Sequence, residues 1–187
     1  MTPEVIPPRV PQYNWVDLGL PSGTLWLDRM VGAPTPSEPG LFYQWGDIIG
    51  HSVADGYDFS FSNYRAKNLN LITDNLDNEN DAARAYYGPK AKMPSAAQFQ
   101  ELIEHCVIAT HEDGLSVITS NINGNSITIR GNGHMSNLEH VGSSRIRVWS
   151  SSFASETNAM SFHGEGSVMS VDSNARTYGY NIMAVHS

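Results

Sequence analysis

Seven histidines, at positions 51, 105, 111, 134, 140, 163 and 186, are the first residues in this chain that could do chemistry. Zinc proteases place two of them four apart with a glutamate between, and no HExxH spacing occurs here. His105 and His111 stand six apart, on different faces of any helix. His134 and His140 fall in a Gly/Asn/Ser-rich stretch that reads as irregular. An oxygen-ligand site is spelled more closely by DNLDNENDAAR (74–84), whose carboxylates and amides could hold Ca2+. An EF-hand loop needs glycine at its sixth position, where Glu79 stands, so a solvated loop leading into a helix is the stronger reading. The expectation is no cofactor, with an irregular Ca2+ site through carbonyl oxygens as the alternative.

Nucleophilic chemistry finds few footholds. WSSS (149–152) lacks the glycines of a nucleophile elbow, and GNGH (131–134) is too slight a glycine pattern to cradle a phosphate. Cys106 is the only cysteine, which excludes an intrachain disulfide and any mechanism needing a cysteine pair. No catalytic residue is predicted, and the chain reads as non-enzymatic.

What remains is a polar set near the C-terminus. With period two, Met160 and Phe162 face one way, and Ser161 and His163 the other. Met169 and Val171 then face inward, with Ser170 and Asp172 outward. Ser173, Asn174, Arg176, Thr177 and Tyr178 follow in a segment read as a turn or loop at the rim. A plain solvated sheet face would carry Lys, Glu and Thr, yet no lysine follows Lys92. Ser, Asn, His and Tyr are instead the residues of adaptable binding surfaces. The predicted ligand-binding set is Phe153, Ser161, His163, Ser170, Asp172, Ser173, Asn174, Arg176, Thr177 and Tyr178, with Tyr178 as the main anchor and His163 and Phe153 as secondary ones.

These residues need a frame. The chain has 187 residues, 40% of them hydrophobic, enough for one domain with its own core. A net charge of −8 argues against a nucleic-acid partner, because phosphates demand a basic surface. No apolar run reaches membrane-spanning length, and the N-terminus lacks a basic-then-apolar signal pattern, so a chain made in a cytoplasm is expected. Residues 1–14 carry four prolines and read as an arm or linker, leaving 15–187 as the domain. VDLGLPSGTLWLDRMVGA (16–33) reads as two short strands around a Pro-Ser-Gly turn, and FYQWGD (42–47) as buried aromatics. Residues 50–92 should hold short helices, one of them in DNENDAARAYYG (77–88).

The main helix is predicted over about 95–109, with Ser95 and Gln98 as a capping box and Phe99, Leu102, Ile103 and Cys106 as its buried stripe. Residues 115–130 form a hairpin around Asn123-Gly124, and strands follow to the end. Strands, one main helix and more strands make an α+β domain of twisted antiparallel sheets.

Several of these segments occur together in one known family. VDLGLPSGTLW (16–26), FYQWGD (42–47), MPSAAQFQELIEHC (93–106), NGNSITI (123–129) and WSSS (149–152) resemble, in the right order, the Fibrobacter succinogenes major paralogous domain. The resemblance runs from about 14 to 185. It implies a C-type-lectin-like fold of the formylglycine-generating-enzyme type, with N- and C-terminal strands paired. The enzymes of that superfamily use a cysteine pair, which this chain lacks, so their activity is not implied.

Some members of the family are variable proteins of diversity-generating retroelements, mutated at adenines in C-terminal Asn codons. The resemblance aligns Ser161, His163, Glu165, Val168 and Ser170 with the alternating variable positions. It aligns Asp172 to Ala175 with the Asn run, Arg176 with a basic residue, Thr177 and Tyr178 with the Asn pair, and Gly179-Tyr180 with the end. The chain departs from the pattern at Met183-Ala184, where the family usually has Arg-Pro, and at Glu165, which adenine changes in an Asn codon cannot produce.

The resemblance implies a ligand- or receptor-binding domain in the virion, on a gut-bacterial phage tail. Its partner would be a bacterial cell-surface protein or glycan, with homo-oligomerisation or docking to a larger assembly, and no membrane insertion. A cell-surface adhesin or lectin-like domain of a gut Bacteroidetes bacterium, and a structural virion protein, are the alternatives.

Overall fold

The computed structural model describes residues 12–69 and 74–187. Most of the Pro-rich stretch, residues 1–11, lies outside the described residues. Packing begins before the expected domain start at 15. The Tyr13 ring meets Tyr87 edge-on with centroids 4.8 Å apart, and Arg29 donates to the Gln12 carbonyl at 2.8 Å.

Strands β1 (Trp15–Asp17) and β2 (Leu25–Leu27) pair antiparallel across the Pro-Ser-Gly turn. Gly23 closes that turn by donating to the Leu20 carbonyl, from a left-handed φ of 73° that glycine adopts without strain. β2 also pairs with β11 (Val185–His186), so strands from both ends of the chain share one sheet in the order β1-β2-β11.

FYQWGD is buried throughout, and the Trp45 indole donates to the Ser150 carbonyl at 2.7 Å. Between 50 and 92 the described chain is built of turns, two short 3-10 segments and helix α1 (Ala82–Tyr87). Asp77 and Asp81, two carboxylates of the stretch weighed for Ca2+, act as caps. Asp77 accepts from the Asn80 amide, and Asp81 accepts from the amides of Arg84 and Met93.

Helix α2 (Ala96–His105) begins as expected. Ser95 accepts from the Gln98 amide at 3.1 Å, and the Gln98 side chain accepts from the Ser95 amide at 2.9 Å. It ends four residues earlier than predicted. Cys106 is extended, at φ −130° and ψ 161°, and opens strand β3 (Cys106–Thr110). The β-branched pair Val107-Ile108 explains the switch: Cys106 and Ile108 are buried while Val107 and Ala109 are exposed, a period of two. Cys106 is thus buried, as expected, but on a strand rather than a helix. β3 pairs with β4 (Leu115–Ser120), which forms the predicted hairpin with β5 (Ser126–Arg130). His134 and His140, expected in irregular chain, lie on a small hairpin of β6 (His134–Ser136) and β7 (Glu139–Val141).

The last sheet has the order β10-β9-β8, from β8 (Ile146–Phe153), β9 (Asn158–Glu165) and β10 (Val168–Ala175). A Gly166-Ser167 turn, with Gly166 at φ 61°, joins β9 to β10. One face of this sheet packs on α2. Phe162 stacks on Phe99 at 4.8 Å with the rings nearly parallel, and Val148 and Ile146 fill in beside them. Each such fully buried side chain contributes roughly 1.5–3 kcal/mol of burial free energy. The described residues thus form an α+β architecture of eleven strands in four small antiparallel sheets with two α-helices. None of these helices is long and apolar enough to cross a membrane.

Candidate functional site

Register across the β8–β10 sheet decides which side chains share its outer face. Arg147, His163 and Ser170 form one rank across the three strands. Trp149, Ser161 and Asp172 form the next, and Phe153, Ala159 and Asn174 the third, past an irregularity in β8. The alternation predicted from period two is therefore present: Phe162 and Val171 pack inward, and Ser161, His163, Ser170 and Asp172 lie on the opposite face.

That face is less open than expected at its centre. Ser161 and Trp149 have no exposed surface, because β9 is the middle strand and the Tyr180 ring stacks on Trp149 at 4.3 Å. Tyr178 lies parallel to Tyr180 at 6.1 Å, and His134 from β6 meets both rings at 5.3 and 5.6 Å. The chain reaches this pile through Gly179, where an added Cβ would lie 2.4 Å from the Phe59 ring.

Ser161, His163 and Asn174 form one hydrogen-bonded knot. Asn174 Nδ2 donates to Ser161 Oγ at 2.9 Å and approaches His163 Nε2 at 3.2 Å, while Ser161 Oγ lies 3.0 Å from that nitrogen. An amide donor at Nε2 makes that nitrogen the acceptor and leaves the proton on Nδ1, which faces Asp172 Oδ2 at 3.7 Å. Asp172 accepts in turn from Ser170 at 3.1 Å. The 3.7 Å contact is no ion pair at neutral pH: burial, and secondly the neighbouring Arg147, push the His163 pKa down to about 4, against the smaller opposing effect of Asp172.

Ser161, His163 and Asp172 fall in the order of nucleophile, base and orienter. The hydroxyl is closed to solvent, Nε2 already has an amide donor, and an imidazole of that pKa is a poor base at neutral pH. The groups suit hydrogen-bond recognition better than attack.

The other predicted residues are placed differently. β10 runs through the expected rim loop to Ala175, so Ser173 pairs with Met160 and belongs to the face opposite Asp172 and Asn174. Arg176 is 4% exposed, and its guanidinium lies over Trp45 at 4.6 Å and Phe153 at 5.1 Å while donating to the carbonyls of Ser155 and Asn158. It ties the β8–β9 loop to the core and is closed to solvent. Phe153, 38% exposed, covers that guanidinium and lies in rank with Asn174 across Ala159, at the edge of the sheet. Thr177 is held by its carbonyl, which accepts from Gln44 at 2.9 Å.

The structure adds Arg147, His134 and Tyr180 to the set. Arg147 was findable, since period two through Arg147-Val148-Trp149 puts the arginine on the face of the later polar residues. It borders an open depression of about 370 Å3 with His163, Gly164, Glu165, Val168 and Ser170. Among the described residues, no group of three or more His, Cys, Asp or Glu is arranged to hold a metal ion. Compared with models of protein families, with curated proteins and with solved structures, the chain matches none.

Proposed function

We propose that this chain is a non-enzymatic binding domain whose ligand meets the outer face of β8–β10. The observation that carries this reading is the division of labour within one sheet. Phe162, Val148 and Val171 hold the inner face to α2, while Val168, Ser170 and Asp172 can change on the outer face without touching that core. A rigid scaffold with exchangeable polar side chains is what a recognition surface needs.

The fold is read as C-type-lectin-like. In support, strands from both ends of the chain share one sheet, one principal helix backs another, and the C-terminal segment supplies the outer face. The motifs shared with the Fibrobacter succinogenes major paralogous domain, and the Ser, His, Asp, Asn and Tyr types along 161–178, favour a retroelement-diversified receptor-binding protein of a gut-bacterial phage tail. Its ligand is a bacterial cell-surface protein or glycan, bound through several copies because one domain of this size binds weakly.

The test is adhesion. Beads carrying many copies of the domain are mixed with gut Bacteroidetes cells, beside beads carrying Ser170→Arg or Asp172→Arg. Wild-type beads are expected to bind, and the variants to lose binding at unchanged melting temperature. Variants that bind as well as wild type would move the ligand to another surface.

A further inference from the structure

Arg147 has no carboxylate in direct contact. Among the described residues none lies within 4.0 Å of its guanidinium, Glu165 and Asp172 act on it only from farther away, and its one hydrogen bond goes to the adjacent Ile146 carbonyl at 2.9 Å. Arg145, two residues earlier, already holds Glu165 at 3.2 Å. Most of the five N–H donors of Arg147 therefore remain unspent, in a fork matched to a carboxylate. The guanidinium is partly buried, so a bound carboxylate meets less competition from water than at an open surface.

Its setting narrows the ligand. The depression of about 370 Å3 falls in the range of about 300–1,000 Å3 typical of small-molecule sites, larger than one inserted side chain requires. Ser170 and His163 stand in rank with Arg147: Ser170 donates to Asp172 but keeps oxygen lone pairs for a ligand hydroxyl, and the His163 ring, its nitrogens engaged, lines the depression beside it. Glu165 and Asp172 stand at the margin with 61% and 58% of their side chains exposed. They admit one carboxylate to Arg147 and repel a run of them, which argues against an acidic peptide. We infer that Arg147, with His163 and Ser170, forms a subsite for the carboxylate of a sugar acid at the end of a glycan. This rests on the reading of the outer face as the binding surface.

The experiment is a titration of 15N-labelled protein, followed by NMR at constant ionic strength, with D-glucuronate, D-glucose and tri-glutamate as probes. D-glucuronate is expected to give saturable shifts at Arg147, His163 and Ser170, with D-glucose and tri-glutamate weaker by about tenfold or more. Arg147→Gln should lose D-glucuronate binding by a similar factor, and Arg147→Lys, which keeps the charge but not the fork, should lose part of it. Three results would each overturn the subsite: no saturable D-glucuronate binding, equal binding of D-glucose, or tighter binding of tri-glutamate. The comparison among probes needs no variant, so a misfolded Arg147→Gln leaves the test intact. Protein that adheres to cells but ignores D-glucuronate overturns the subsite alone, whereas Ser170→Arg beads that still adhere count against the broader reading.

Discussion

Arg147 and His163 stand directly opposite each other on β8 and β9, a cation and an imidazole held side by side on the outer face of one sheet. With burial, this arrangement keeps His163 neutral down to a pKa of about 4. The neutral ring in turn lets Nε2 accept from Asn174, so the knot around Ser161 depends on that protonation state.

The first prediction concerns acid. The unfolded chain takes up a proton at His163 near pH 6.5, the folded one only near 4, so between these values the unfolded state binds more protons. The His163 contribution is fully present above about pH 6.5 and is lost as pH falls toward 4, a change of up to about 3 kcal/mol. Burial lowers His134 and His51 in the same direction, so they add to the slope. Urea unfolding of wild type and His163→Gln at pH 4.5 and 7 isolates the term: the variant should lose clearly less stability on acidification. Equal losses would show that His163 is not the group responsible.

Gly179 is required by space rather than by backbone angle. An alanine Cβ would sit 2.4–2.5 Å from two atoms of the Phe59 ring, while Gly179 exchanges both backbone hydrogen bonds with Met135. Gly179→Ala should cost about 1–3 kcal/mol through overpacking. A thermal melt of the variant checks this, and Phe59→Leu in the same background should return part of the loss. An unchanged melt would mean that the ring moves aside freely.

Arg176 acts on stability. Its guanidinium lies over the rings of Trp45 and Phe153 and donates to the carbonyls of Ser155 in the β8–β9 loop and Asn158 at the start of β9. Arg176→Met should cost about 2 kcal/mol in chemical denaturation, by stranding those carbonyls and losing the cation–π contacts. Loss of ligand binding at full stability would instead restore it as a contact residue.

Much of this frame was written locally. Ser95 and Gln98 announced the start of α2, and the alternation of Phe162 with His163, and of Val171 with Asp172, announced the faces of β9 and β10. What failed depended on distant chain. The helical stripe through Phe99, Leu102 and Ile103 continued in sequence to Cys106, but Ile108 gains burial against the β8–β9 sheet only as part of a strand. Ser161 looked solvent-facing, and it is buried because Tyr180, nineteen residues later, lies on Trp149 beside it. Period two places Arg147 on the outer face, but its position beside His163 is set by cross-strand register that no local pattern spells.

The last prediction joins sequence variation to this geometry. If the 3′ end of the gene is diversified, adenine-linked substitutions should concentrate at codons 163, 168, 170, 172 and 174. Those side chains share the outer face in register, so replacing them leaves the contacts of Phe162 with Phe99 intact. Codons for Val148, Phe162, Val171 and Gly179 should be spared, because each is packed against the core or an aromatic ring. Codons 161, 163 and 174 carry a stricter demand. Asn174 and His163 both bond to the buried Ser161 hydroxyl, so a change at one removes part of a shared network, with the Asp172 carbonyl at 3.2 Å still accepting from Ser161. Deep sequencing of the 3′ end across the source population should therefore find these three positions changing jointly more often than chance. Independent changes at all three would mean that water replaces the lost partners. A 3′ end no more variable than the codons of α2 would remove diversification from the account and leave the outer face as a fixed binding surface.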